Sequence, residues 1–241
     1  MAFEGYGPYF LAHEIAHQWW GQGVGWKNYH EQWLSEGFAQ YFAALYAARD
    51  RGDEVFGNML RQMRRWAIDQ SDQGPVYLGY RLGHIKGESR VFRALVYNKG
   101  AMVLHMLRRA VGDDKFFAGI REFYGRWKFR KAGTDDFRRA MEGASGMDLA
   151  AFFDGWIYGS SVPVLGFTST LTATEARIRI EHRGAIIPTP VTVSIIYADN
   201  SIEDVVVLAD DRVVERALAL QGPVRSVEIN RDHGAVAEVE R

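Results

Sequence analysis

Apolar residues recur every three or four positions up to about Pro163, and every second position beyond it. The first spacing predicts helices and the second predicts strands. One helix is expected from about Pro8 to Gly21, followed by a glycine-interrupted connection from Gly21 to Tyr29. A second is expected from about Gln32 to Ala48, with Leu34, Phe38, Tyr41, Phe42 and Leu45 on one face. Asp53 is placed to cap a third helix, whose apolar face carries Val55, Met59, Leu60 and Met63. Gly74 to Gly87 reads as an irregular, glycine-rich loop. A further helix, starting near Ser89 or Tyr97, carries Met102, Val103, Met106, Leu107 and Ala110 and ends at Gly112. The next runs from Asp113 to about Trp127. Thr134 then stands as an N-cap before Asp135 and Asp136. Asp148 to Tyr158 forms the last amphipathic helix, closed by Gly159.

Beyond Pro163, residues 177–181 and 191–195 alternate apolar and polar. Val205 to Leu208, Val213 to Leu220 and Val224 to Ile229 are further strand candidates. Asp199-Asn200, Asp210-Asp211 and Gly222-Pro223 are turn signals between them. Short strands at this spacing suggest a small antiparallel β-sandwich. The expected fold class is therefore α+β, with a helical domain over 1–163 and a β-sandwich domain over 164–241.

Composition narrows the chemistry. The chain has 241 residues and 47% hydrophobic content, enough for a sizeable core. Its formal net charge of −1 gives no global reason to expect a nucleic-acid or anionic-membrane partner. There is no cysteine, so any metal must be held by His, Asp or Glu. No apolar stretch approaches the ~18 residues that span a bilayer. Met1 to Gly7 show no basic region followed by an apolar run, so no signal peptide is expected there. The compartment stays open.

His13-Glu14-Ile15-Ala16-His17 has the pattern H-E-x-x-H. Residues four apart on a helix share a face, so both imidazoles can reach one ion. Zinc lowers the pKa of a water it binds towards ~7, and the adjacent Glu14 carboxylate can take that water's proton and pass it on. A third protein ligand is needed, and Glu36, in Trp33-Leu34-Ser35-Glu36-Gly37-Phe38-Ala39, is the candidate. The intervening residues are enough for the chain to leave one helix, turn and bring a second alongside. Ser35 and Gly37 are small and would let that helix approach closely.

Residues 13–21 together with 33–39 resemble the zinc aminopeptidases of the alanyl and leucyl type, gluzincins that also include leukotriene hydrolase. Val96-Tyr97-Asn98-Lys99-Gly100-Ala101 is similar to that family's tyrosine-x-lysine-glycine segment. The resemblance implies that Tyr97 donates a hydrogen bond to the oxyanion of the tetrahedral intermediate. Residues 153–159 and 162–165 resemble the end of the family's catalytic domain and the start of its sandwich. The resemblance as a whole implies a zinc metallopeptidase acting on peptide substrates, with a helical, thermolysin-like subdomain. His13, His17 and Glu36 would be metal ligands, and Glu14 and Tyr97 catalytic residues.

The family's Gly-x-Met-Glu-Asn segment, whose glutamate binds the substrate's free amino group, is not present in this sequence. The expectation is therefore a fragment of a longer enzyme, with apolar surface covered by the remaining polypeptide or by another subunit. A non-catalytic zinc-binding fragment and an interaction module are the alternatives, and an endopeptidase is a variant of the first reading. His30 and Glu31 either support a zinc ligand or form a solvated helix start. His84 reads as a loop residue and His105 as structural, while His182 and His233 lack metal spacing. Residues 121–131, like Arg61, Arg64 and Arg65, read as solvated basic faces. Trp19, Trp20 and Trp33 read mainly as packing around the ligand helices.

Overall fold

The computed structural model describes residues 7–240. Residues 1–6, within the stretch read for a leader, and residue 241 lie outside that range. The α+β expectation holds, with helices as far as Tyr158 and a run of strands from Val164. No helix among the described residues is long and apolar enough to cross a membrane.

The first helices are α1 (Gly7–Ala16), α2 (Trp33–Arg51) and α3 (Asp53–Asp69). Helix α1 ends at Ala16, short of Gly21; tight turns follow it, and Gly21 adopts φ +113°. That conformation suits glycine and strains other residues. The short strand β1 (Val24–Trp26) then pairs in parallel with β2 (Arg130–Ala132). Asp53 does not cap α3. Gly52, at φ +83°, occupies that place, and Asp53 and Glu54 contribute acidic charge to the first turn.

The glycine-rich stretch is more ordered than the loop expected. It holds a 3₁₀ turn, Val76–Leu78, and a π-helical turn, Arg81–Ile85. Helix α4 (Ser89–Phe92) runs through a π-helical stretch, Arg93–Lys99, into α5 (Gly100–Val111), so Ser89 and Tyr97 lie on one rod. After α6 (Asp113–Trp127) comes α7 (Thr134–Ser145), where Gly133 and not Thr134 is the cap residue. The Gly133 N–H donates to Asp136 at 2.9 Å. Thr134 is otherwise engaged, since its hydroxyl donates to Glu31 at 2.6 Å and accepts from the Trp33 indole at 2.9 Å. The last helix starts at Ala150, with Asp148 accepting from its N–H at 2.9 Å. It consists of α8 (Ala150–Phe153) and a π-helical turn, Asp154–Tyr158.

The remaining strands are β3 (Val164–Leu171), β4 (Glu175–His182), β5 (Thr189–Tyr197), β6 (Ile202–Ala209), β7 (Val213–Ala219), β8 (Val224–Ile229) and β9 (Glu238–Glu240). They form two sheets, ordered β7-β4-β3-β9 and β6-β5-β8. All pairs are antiparallel except β3 with β9. Asp199-Asn200 turns the β5–β6 hairpin, whereas Asp210-Asp211 and Gly222-Pro223 carry the chain from one sheet to the other. Strand β4 buries Ala176, Ile178, Ile180 and His182 and exposes Arg177 and Arg179, the period of a strand with one covered face. Every residue of β5 is buried, because its second face lies against α5.

The helical and β parts share one hydrophobic cluster. Its helical half centres on Trp20, Trp33, Phe38, Phe123 and Phe137, with Trp20 and Phe38 ring centroids 4.7 Å apart and Phe123 and Phe137 5.1 Å apart. Polar contacts span the junction. Arg109 pairs with Asp232 at 3.0 Å and donates to Thr192, and Asp232 accepts from Thr192 at 2.5 Å. Arg64 is not on a solvated face as expected. It is partly buried and donates to the backbone carbonyls of Ala235, at 2.8 Å, and Ala237.

His105 sits at this junction, buried, with Nδ1 3.2 Å from the Tyr41 hydroxyl. Burial, reinforced by the Arg109 guanidinium, pushes its pKa down to about 3. An unfolded histidine titrates near 6.5, so as pH falls below that value the unfolded chain gains a proton that the folded chain refuses. Stability contributed by neutral His105 is therefore lost from about pH 6.5 downwards. Between pH 6.5 and 5 the loss should be about 2 kcal/mol. Urea unfolding across that window should show a shallower slope in His105→Gln; an identical slope would count against this account.

Candidate metal and catalytic centre

Helix α1 carries His13, and His17 follows one turn on, in the turn just past the end of the helix; α2 packs against α1. The loop between them is held at several points. Asn28 accepts from the His30 N–H at 2.9 Å and caps a 3₁₀ turn, Tyr29–Glu31. The expected solvated start of α2 is not what forms. Glu31 is buried and accepts from the Thr134 N–H at 2.9 Å as well as from its hydroxyl, which ties the approach to α2 to the start of α7. His30 Nδ1 lies 2.8 Å from the Tyr77 carbonyl.

The outcome is a tight cluster. His13 Nε2 and His17 Nε2 are 3.0 Å apart. Glu36 Oε2 lies 3.4 Å from the first and 3.2 Å from the second. Among the described residues, these are the His and carboxylate side chains that converge as a group of three, with donor atoms all within 4.8 Å of one another. Burial pushes the Glu36 carboxyl up, but hydrogen bonds from His13 and His17 outweigh it and hold the group at about 2. Hydrogen bonding to Glu36 raises the His17 pKa against the opposing effect of burial.

His17 is also held from behind. Its Nδ1 lies 3.0 Å from the Trp20 carbonyl, and Ser35 Oγ lies 3.1 Å from Nδ1 and 3.0 Å from the same carbonyl. The sequence signals Ser35 only as a small residue. Its hydroxyl contact cannot be read without the turn at Gly21.

Glu14 is exposed, on α1 beside His13. Tyr97 is half-buried, with its ring nearly parallel to that of His13 (4° between planes, centroids 5.7 Å apart). Burial first, then the charge of Glu36, raises its hydroxyl well above an ordinary phenol, so the O–H keeps its proton. Two glycines bring Tyr97 here. A Cβ added at Gly37 would lie 3.0 Å from the Gly100 carbonyl carbon and 3.2 Å from the Val96 oxygen. Gly37→Ala should therefore wedge α2 from the Tyr97 segment and cost about 1–3 kcal/mol, measured by thermal unfolding. Unchanged stability would mean the contact relaxes freely.

The other histidines stay outside the cluster. His84 is exposed, with its ring 5.0 Å from Tyr80 and 4.7 Å from Phe92. His182 Nε2 lies 3.1 Å from the Ala209 carbonyl inside the sandwich. Trp20 and Trp33 are buried as packing residues, but Trp19 is 48% exposed. With Leu11, Ile15 and Tyr46, at 64%, 51% and 54% exposure, it lines an apolar groove along α1 and α2.

Comparison with known proteins agrees with this picture. The chain is 30% identical over 179 residues to glutamyl aminopeptidase of Bos taurus, covering 72% of this chain and 18% of that protein. It is 31% identical over 160 residues to aminopeptidase N of Lactococcus lactis subsp. lactis, covering 64% and 19%. The chain thus spans about a fifth of the length of these relatives. The crystal structure of Legionella pneumophila aminopeptidase A in complex with aspartic acid superposes with a TM-score of 0.76 at 19% identity, over 97% of this chain and 27% of that one; the likeness is one of fold. The family model for the peptidase family M1 domain matches residues 9–156, a span that takes in the whole cluster and Tyr97. On that match, this chain belongs to peptidase family M1.

Proposed function

We propose that this chain is the metal-binding part of a zinc metallopeptidase of the aminopeptidase type, with His13, His17 and Glu36 as the zinc ligands. The convergence of three donor atoms carries the reading. Zinc bonds of about 2.0–2.1 Å at tetrahedral angles place neighbouring ligand atoms about 3.3–3.4 Å apart. The separations in the cluster are 3.0, 3.2 and 3.4 Å. Two imidazoles and one carboxylate, with no thiolate, match the donor set of hydrolytic zinc sites. A carboxylate that remains charged and imidazoles with lone pairs on Nε2 are the forms a cation needs.

When bound, zinc supplies Lewis acidity that lowers the pKa of water and polarises a carbonyl. The residues of this chain do the rest. Glu14 takes a proton at its carboxylate and returns it to the leaving amine. Tyr97 offers its O–H to the carbonyl oxygen as negative charge develops there. The aromatic packing behind Trp20 and Trp33 holds the two ligand helices in register. In this reading the helical domain, 1–163, carries the chemistry and the sandwich domain, 164–241, supports it.

The chain is read as a portion of a longer enzyme because it spans only 18–19% of its relatives. The apolar groove beside Leu11, Ile15 and Trp19 supports further polypeptide packing there, from the same enzyme or from another subunit. Metal analysis tests the core of the proposal. The purified chain should hold one zinc, and His17→Ala and Glu36→Ala should each lose it; zinc retained in both variants would refute the ligand set. Comparing aminoacyl-arylamides with N-acetylated peptides then separates aminopeptidase from endopeptidase action. Zinc bound with neither substrate cleaved would favour the non-catalytic reading.

A further inference from the structure

We propose that Ser35 is a positioning residue for His17, fixing which imidazole nitrogen faces the metal and at what angle. The inference rests on the ligand assignment above and adds a residue to it.

A backbone carbonyl can only accept hydrogen bonds. The Trp20 carbonyl has two groups against it, Ser35 Oγ at 3.0 Å and His17 Nδ1 at 3.0 Å. When Nε2 is given to the metal, the one ring proton of neutral His17 sits on Nδ1, the nitrogen that faces the Trp20 carbonyl. The Ser35 hydroxyl spends its own hydrogen on Trp20, so a lone pair is left for the His17 Nδ1–H 3.1 Å away. The N–H thus lies in a fork between two oxygens. Rotating the ring about its Cβ–Cγ bond would break both contacts.

Two features mark the arrangement as built into the fold. Ser35 is only 4% exposed, so water does not compete for these contacts. Gly21 makes the space: a Cβ there would lie 2.5 Å from Ser35 Oγ, and its φ of +113° is one that glycine adopts without strain. Ser35 also directly precedes Glu36. One hydroxyl therefore links the residue before Glu36 on α2 to His17, just past the end of α1. Partners behind a metal-bound histidine set its ring orientation and basicity.

The test uses the full chain, zinc affinity by chelator competition, and the absorption spectrum of the cobalt-substituted protein. Ser35→Ala should weaken zinc binding by about tenfold, the low end of what such partners contribute, because Trp20 still accepts from His17. Its cobalt bands should shift, and Ser35→Thr, which keeps the hydroxyl, should restore both affinity and spectrum. The thermal midpoint of the metal-free chain should be nearly the same in all three. Ser35→Ala with unchanged affinity and unchanged cobalt bands would overturn the proposal. So would a loss of affinity that Ser35→Thr does not rescue and that accompanies a fall in the metal-free midpoint, since that is general loosening. If the unsubstituted chain binds no zinc, the ligand assignment itself fails and this inference falls with it. Binding that persists and ignores Ser35 would sink this inference alone.

Discussion

Glu14→Gln should slow hydrolysis by about 10²–10⁴-fold while leaving the zinc content of the chain unchanged. The substitution keeps the size and shape of the side chain and removes only its capacity to hold a proton. Glu14 is exposed on α1 and stands next to His13, yet it is outside the cluster of converging donor atoms. A residue so placed can be altered without disturbing the ligands. Its neighbours are held independently, His17 by Trp20 and Ser35, and Glu36 by the two imidazoles. The variant should therefore bind substrate and fail in proton transfer, with the loss falling on kcat. Metal analysis and steady-state kinetics on the same preparation decide the matter. Loss of zinc would make Glu14 a ligand or a structural support, and unchanged turnover would remove it from the chemistry.

Tyr97→Phe is expected to lower kcat by about 10²–10³-fold with little change in KM. Only the hydroxyl is lost, and the ring can keep its parallel placement beside His13. A donor that meets the reacting oxygen strongly only once charge has developed there contributes to the transition state and little to substrate binding. The raised pKa of the hydroxyl supports the assignment: burial and the Glu36 charge keep the proton on oxygen where a donor needs it. A variant with raised KM and intact kcat would place Tyr97 in substrate binding instead.

Parts of the site are legible in the sequence because they depend on short-range geometry. His13 and His17 lie on one face by helical spacing alone, and Glu14 sits between them. Glu36 is found because a long apolar helix begins just before it. Tyr97 is different. Nothing near residue 97 indicates that its ring will lie beside His13; that depends on Gly37 meeting Gly100 and on a π-helical stretch no periodicity announces. Its role rests on family resemblance. Glu31 is illegible for a similar reason, since its partner Thr134 lies 103 residues further on. In the sandwich, β4 and β5 show themselves by alternation or by sustained β-branched content. The three-residue strands β1, β2 and β9 are too short to carry any period, and they exist because a neighbouring strand is there to pair with.

The π-helical stretch from Arg93 to Lys99 makes the placement of Tyr97 a matter of residue count. Each residue of an α-helix advances the chain by about 100°. A wide turn of this kind absorbs one additional residue without breaking the rod. Deleting a single residue between Phe92 and Gly100 would let the rod close into regular α-helix, with every hydrogen bond of the ladder satisfied and no obvious loss of fold. Helix α4 and the glycine-rich turns before it would keep their facing relative to α5, because the wide turn had absorbed the extra residue; the side chains inside the stretch would be rephased instead. Phe92 and His84 would keep their places, while Tyr97, inside the stretch, would turn away from its position beside His13. The chain is thus vulnerable to a kind of damage that substitution scanning does not sample: a one-codon deletion that leaves the helices in place and one hydroxyl misdirected.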